Sequence, residues 1–416
     1  MAHLFLIQFL VVFVTARGLG FLVRALAQPP VVGEMLSGFV LGPLCLGHYF
    51  PAAAAWLFPA GGLGGLGMLS ELGVVLFMFV VGTELRLGST IGAQFRAGAV
   101  IAVFSLSIPF LAGTAMSPFL FERLPPPVGS RAQFGLFVGI VFSVTAFPVL
   151  ARLIKDRGMM ATEIGQIALT TAAIAEVTAF AFLTVVLTSL HAGAGVHNPV
   201  VLELAGLVGL AAVTFLATRP FLRGLLRRHD RDGKPDIWTL AVLLGGAVAY
   251  AVLTQQLGAG SAIGAFLFGL AMPREDRLVA TLAEPIEHLT IVIFLPCFFA
   301  SAGLNLADRA FAGVGVGVIG AVLLLAVLSK LIGGMTGARL AGQSWRTSLG
   351  IATLTNARGL IEIVILKIGL DAGAIGKDLF TVFMVMTVVT TLMASPMLDL
   401  VLRLRVRALR PPYGAS

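Results

Sequence analysis

Glu176 sits near the middle of Thr162 to Leu190, a stretch in which Glu163 is the only other charged residue. Coiled as a helix, that stretch crosses a bilayer and puts the carboxylate roughly 20 Å from either end. Removing a charge from water at that depth is expensive, so an acid there marks a functional site and calls for a partner. Lys330, in the apolar run Leu328-Ser329-Lys330-Leu331-Ile332-Gly333, is the best-placed candidate. Desolvation and a neighbouring ammonium pull a carboxylate's proton affinity in opposite directions.

Two further stretches interrupt what should be continuous spans. Ser143-Val144-Thr145-Ala146-Phe147-Pro148 places a proline in mid-span, and Thr353-Leu354-Thr355-Asn356-Ala357-Arg358-Gly359 places polar groups and a glycine in another. Proline lacks a backbone donor and collides with the turn before it, which frees carbonyls around Thr145. Non-helical backbone at that depth persists only beside protein or a water-filled cavity. Half-helices meeting there offer opposed dipoles and free carbonyls suited to a small cation. A plain proline kink is the simpler reading of either stretch taken alone.

Composition sets the medium. Of 416 residues, 58% are hydrophobic and 12% charged, and the mean hydropathy is +1.00, outside the soluble range. Apolar runs recur along the whole length and give an all-α polytopic membrane protein of about thirteen spans, with no room for a soluble domain. The formal net charge of +8 does not indicate nucleic acid, because the basic residues lie in short connections between apolar runs. Cys45 and Cys297 lie in apolar segments without metal spacing, so neither a disulfide framework nor a zinc site is indicated, and no cofactor is expected. Met1-Ala2-His3 leads straight into an apolar segment, which reads as a retained helix.

The spans used below are the second, Val31 to Leu46; the fifth, Phe134 to Leu153; the ninth, Ser261 to Met272; and the twelfth, Trp345 to Leu370. Basic residues gather in alternate connections, among them Arg152, Lys155, Arg157, Arg223, Arg227 and Arg228, while the opposite ones hold only Arg123, Arg131, Arg309 and Lys377. The positive-inside rule then puts the N-terminus outside and the C-terminus in the cytoplasm. Gly33-Glu34-Met35-Leu36-Ser37-Gly38 echoes Gly264-Ala265-Phe266-Leu267-Phe268-Gly269, and Phe79 to Leu85 has a looser counterpart in Phe299 to Leu306. The helices that carry each pair stand seven apart, an offset that reverses orientation, so an inverted-topology repeat with two broken crossing helices is expected.

Gln28-Pro29 through Gly33-Glu34 to Leu41-Gly42-Pro43, then Val144-Thr145-Ala146-Phe147-Pro148-Val149-Leu150-Ala151-Arg152, then Thr355-Asn356-Ala357-Arg358-Gly359-Leu360-Ile361-Glu362 resemble the monovalent cation:proton antiporters, most nearly the plant and fungal cation/proton exchangers and more distantly the Nha-type sodium/proton antiporters. The resemblance covers nearly the entire chain. It implies a homodimer in a lipid bilayer whose core slides like an elevator against a dimerisation side; a bacterial inner membrane is the expected location. Residues 1–96 and 236–309 would form the dimerisation side, 97–190 and 310–416 the core, and 191–235 the linker helix. Glu176 takes the position of the ion- and proton-binding acid, transiently holding Na+ or K+, and Lys330 that of the core lysine. Thr145, Asn356 and Arg358 fall on the crossover with Phe147, Pro148 and Glu362, and Thr145, Thr171 and Ser143 are expected to bind the ion or proton together with Glu176. Family members usually carry Asn-Asp or Asp-Asp where this chain has Ala175-Glu176. Lys330 must therefore pair with Glu176 or Glu362, or give up its proton.

Other features lead less far. Gly62-Leu63-Gly64-Gly65-Leu66-Gly67 fits a dinucleotide pattern but opens a membrane span and follows no strand. Arg358 either ties the broken twelfth helix or meets an anionic substrate. Arg17 snorkels or is paired, Glu34 and Glu84 read as structural, and His229 and His288 are isolated. No nucleophile, base and orienting group share a motif, so no enzyme is expected. The alternatives to cation exchange are proton-coupled transport of a small organic solute on the same fold, or a sensor or scaffold that transports nothing.

Overall fold

A computed structural model describes residues 2–25, 28, 30–84, 93–160, 162–192, 199–229, 237–257, 259–273, 284–307 and 314–408. Every regular element among them is helical. In chain order these are α1 (Ala2–Ala25), α2 (Pro30–Leu41), α3 (Pro51–Leu57), α4 (Gly64–Glu84), α5 (Ala93–Arg123), α6 (Arg131–Ser143), α7 (Phe147–Asp156), α8 (Glu163–Ala192), α9 (Pro199–Val213), α10 (Arg219–His229), α11 (Ile237–Gln256), α12 (Ser261–Leu270), α13 (Glu284–Leu304), α14 (Val316–Leu340), α15 (Trp345–Thr355), α16 (Leu360–Asp371) and α17 (Lys377–Ala408).

Among the described residues, 11 helical stretches are long and apolar enough to cross a membrane, and the pair α15 and α16, bent by 45°, brings the number to 12. The expected count of thirteen is reached only by adding α12. Its 10 residues extend about 15 Å, half of a hydrocarbon core of roughly 30 Å. The expected second span also ends early as an α-helix, because Gly42-Pro43 interrupts it and a π-helical turn, Pro43–Gly47, follows. The short α3 was not anticipated.

The chain divides into two compact units, one of Met1–Arg86 with Thr184–Arg309 and the other of Leu87–Leu183 with Ala310–Ser416. In the first, two helix crossings repeat one another. A Cβ added to Gly38 in α2 would collide with the Phe299 carbonyl oxygen and crowd Gly303 in α13. One added to Gly269 in α12 would collide with the Phe79 carbonyl oxygen and crowd Gly82 in α4. Glycine is required at both because backbone touches backbone, as small residues allow between membrane helices. The residues that meet are those that echo one another in sequence, Gly38 with Gly269 and Phe79 with Phe299.

The second unit packs α5 against α6 and α14, and α15 against α14 and α17. Both interrupted spans open with a serine cap. Ser130 accepts from Gln133 N–H at 3.3 Å while the Gln133 side chain accepts from Ser130 N–H at 2.8 Å, starting α6 with a capping box. Ser344 accepts from Thr347 N–H at 3.3 Å and starts α15. A helix so anchored ends where its sequence stops supporting it, at Ser143 and at Thr355.

The crossings make a testable contrast. Gly38→Ala and Gly269→Ala should each destabilise the protein by about 1–3 kcal/mol through overpacking. Gly18→Ala, whose Cβ would meet nothing within 4 Å, should be neutral or stabilising by up to about 1 kcal/mol. Thermal unfolding in detergent reads the difference, and equal behaviour of the three variants would contradict the packing described.

Candidate ion and proton site

The break between α6 and α7 leaves Val144 and Ala146 extended, with φ −61°, ψ 142° and φ −83°, ψ 102°. Pro148 lies in the first turn of α7, where its missing N–H would have had no helical partner in any case. It starts a second helix rather than kinking one. The carbonyls of Val141, Phe142 and Ser143, at the end of α6, then lose their usual i+4 donors and must find others.

Two basic side chains supply them. Arg358 Nη1 donates to Val141 O and Nη2 to Phe142 O, both at 2.8 Å. Lys330 Nζ donates to Ser143 O and, at 3.1 Å, to Ser105 O in α5. Ser105 O is available because the residue four positions on is Pro109, which has no N–H to give it. The sequence offered this signal in Pro109, but only the fold brings Lys330 to it.

The N–H that would have served Ser143 goes elsewhere. Phe147 N–H, at the start of α7, donates to Glu176 Oε2 at 3.2 Å. Glu176 is fully buried, so the positive end of a half-helix faces its carboxylate. Lys330 and Glu176 thus hold opposite ends of one break, Lys330 the last residue of α6 and Glu176 the first of α7.

The second interrupted span meets the first along its backbone. Ala146 N–H donates to Ala357 O at 3.2 Å, and Thr145 Oγ1 donates to Thr355 O at 3.1 Å. Gly359 belongs here for space, since a Cβ on it would lie 2.6 Å from Val149 Cγ2 of α7. Arg358 Nη1 also donates to Glu362 Oε1 at 2.5 Å, an ion pair with both side chains fully buried. Glu362 stands in the first turn of α16, where an anion meets the helix dipole favourably. Thr391 Oγ1 of α17 donates to Arg358 O at 2.9 Å, a contact the sequence did not single out.

The remaining candidates fall around this core. Thr171 Oγ1 donates to Ile167 O at 2.9 Å and to Gly98 O at 3.3 Å, tying α8 to α5. Ser143 Oγ donates back to Ile140 O at 2.9 Å. In the other unit, Arg17 Nη1 pairs with the buried Glu34 at 3.2 Å, and its Nη2 donates to Ile291 O at 2.6 Å and Val292 O at 3.1 Å. Lys367 pairs with Asp371 in α16. His288 is exposed, and the side chains of Glu84 and His229 lie outside the described residues.

Fold and site together define a polytopic helical membrane protein built on two interrupted spans that cross in its interior, with a buried carboxylate at the crossing. A profile described as "Sodium/hydrogen exchanger, transmembrane" matches residues 9–404, and the chain belongs to that family. It is 31% identical over 402 residues to the Na(+)/H(+) antiporter NhaS4 of Synechocystis sp., covering 95% of this chain and 96% of the relative. Over 90% of its length it is 31% identical to K(+)/H(+) antiporter 1 of Saccharomyces cerevisiae, but it spans only 43% of that protein. The same holds for Cation/H(+) antiporter 17 of Arabidopsis thaliana, 31% identical over 95% of this chain and 48% of the relative. Among solved structures, the sodium proton antiporter MjNhaP1 from Methanocaldococcus jannaschii shares the fold with a TM-score of 0.72 at 15% identity, covering 97% of this chain and 99% of that one.

The pairing of Lys330 with freed carbonyls predicts a rescue. Lys330→Met should lower stability by about 1–3 kcal/mol for each buried carbonyl left without a donor. Pro109→Ala in that background restores an N–H for Ser105 O and should recover part of the loss. A double-mutant cycle on thermal unfolding measures it, and strict additivity of the two substitutions would contradict the assignment.

Proposed function

We propose that the protein is a secondary transporter that exchanges a monovalent cation, Na+ or K+, for protons at Glu176. The observation that carries this reading is the seating of a fully buried acid against the N-terminus of an interrupted helix, through Phe147 N–H. Such a seat favours the anion that a cation needs, and one carboxylate cannot carry a proton and a cation at once, so the two compete for one group. Family membership and relatives named for Na+ and for K+ support a monovalent cation of either kind.

One carboxylate carrying one proton or one cation is neutral in both loaded states, which makes the exchange one for one and electroneutral. The empty carboxylate is the state least able to move, because an unpaired charge crosses an apolar barrier at high cost. In this reading Thr145, Thr171 and Ser143 serve the ion together with Glu176, and Lys330, Arg358 and Glu362 hold the crossover. Alternating access takes the form of an elevator, with the core unit moving against a dimerisation side in a homodimer. The N-terminus lies outside and the C-terminus in the cytoplasm of a bacterial inner membrane.

Proteoliposomes with an internal pH dye test the reading. Addition of Na+ or K+ should collapse an imposed pH gradient without generating a membrane potential, and Glu176→Gln should abolish the collapse. A Glu176→Gln protein that exchanges at the native rate would remove Glu176 from the mechanism.

A further inference from the structure

Four half-helix ends meet at the crossover, and three of them face a charged side chain. The carbonyl end of α6 is met by Arg358 and Lys330, the amide end of α7 by Glu176, and the amide end of α16 by Glu362 in its first turn. The fourth, the carbonyl end of α15, receives the Thr145 hydroxyl on Thr355 O. Its next residue is Asn356.

Asn356 is fully buried, and among the described residues neither its Oδ1 nor its Nδ2 has a hydrogen-bond partner. Two residues on, Arg358 Nε is likewise unpartnered. A buried amide left open at both ends is costly unless it serves a ligand. Backbone geometry does not explain the residue: Asn356 has φ −78° and ψ −6°, a right-handed conformation open to any side chain, so the tolerance of asparagine for left-handed turns is not needed. Neither does helix capping, since its side chain bonds no backbone group.

Position connects this amide to the carboxylate. Consecutive N–H groups of the first break point to the two sides of the site, Ala146 N–H to Ala357 O and Phe147 N–H to Glu176 Oε2. Asn356 therefore adjoins the residue that stands one step along that break from Glu176. Thr353 O, Leu354 O and Thr355 O at this helix end each accept one hydrogen bond, yet the end carries partial negative charge and is met by no basic side chain in any hydrogen bond described above, which suits a cation. An amide with an open donor as well as an open acceptor suits an ion that keeps part of its water.

We infer that Asn356 is a specificity-determining residue for the transported cation, its Oδ1 entering the ion's shell and its Nδ2 holding one of the ion's waters. The inference rests on the exchange function proposed above. Ions of different size lose their water at different cost, so a ligand that binds partly through water sets the preference between them. Glu176 supplies the charge and Asn356 the discrimination.

Exchange kinetics in proteoliposomes, with Na+ and K+ measured separately, provide the test. Asn356→Ala should raise the KM of the preferred ion about tenfold, the equivalent of one lost hydrogen bond to a charged group, and change the ratio of the two KM values. Its Tm in the absence of either ion should fall no further than the loss of packing from a buried side chain requires, because no hydrogen bond within the described residues is removed. Asn356→Ser, which keeps a polar oxygen, is the second variant and should lie between Asn356→Ala and the native protein. Variants whose two KM values both stay within about twofold of native, a change of roughly 0.4 kcal/mol, would overturn the inference while leaving the exchange function intact. A native protein that exchanges neither ion would overturn the function and this inference together.

Discussion

A main-chain carbonyl that loses its helical donor inside an apolar medium must be given another, and the polar side chains of this protein are arranged by that requirement. Pro109 leaves Ser105 O open, and Lys330 takes it. Pro118 leaves Thr114 O open, and Ser117 Oγ takes it at 2.8 Å. In the other unit, Pro296 follows a π-helical turn, Thr290–Phe294, so it can serve neither Ile291 O nor Val292 O, and Arg17 takes both. The cost of an unsatisfied carbonyl in hydrocarbon is several kcal/mol, which is ample reason to bring a basic side chain into the interior.

The same requirement builds the site. Three consecutive carbonyls at the end of α6 are answered by Arg358 and Lys330, and because they are, the N–H of Phe147 is left to Glu176. A single uninterrupted helix would keep that N–H for itself and withhold it from the carboxylate. Arg358 in turn is balanced by Glu362. In a buried network of this kind the removal of one member exposes an uncompensated charge, so the break, the cations and the acids stand or fall together.

Close backbone contact is the second constraint. The paired crossings of Gly38 on Gly303 and Gly269 on Gly82 repeat one geometry in the first unit, and Gly359 lets α7 approach the second break. Membrane helices lack a hydrophobic drive toward one another beyond what lipid offers, so tight van der Waals contact has to hold them. A residue with no side chain is what permits it.

Much of this was legible along the chain. Hydropathy and length announced the membrane and nearly all of its spans, because each residue carries its own transfer energy whatever it later touches. The interruptions at Ser143 to Pro148 and Thr353 to Gly359 were visible for the same local reason, as was the exceptional position of Glu176. Tertiary structure alone decided who answers whom. Lys330 read as a partner for a carboxylate, and nothing local in the sequence showed that the fold would also bring its amine to carbonyls, one of them 225 residues distant. The ninth span read as a crossing helix, yet α12 stops after 10 residues. Asn356 read as one polar residue of a break, and only packing showed that both ends of its amide stay open. A donor lost or a charge buried is a property of one residue, whereas the group that compensates it is a property of neighbours that only folding selects.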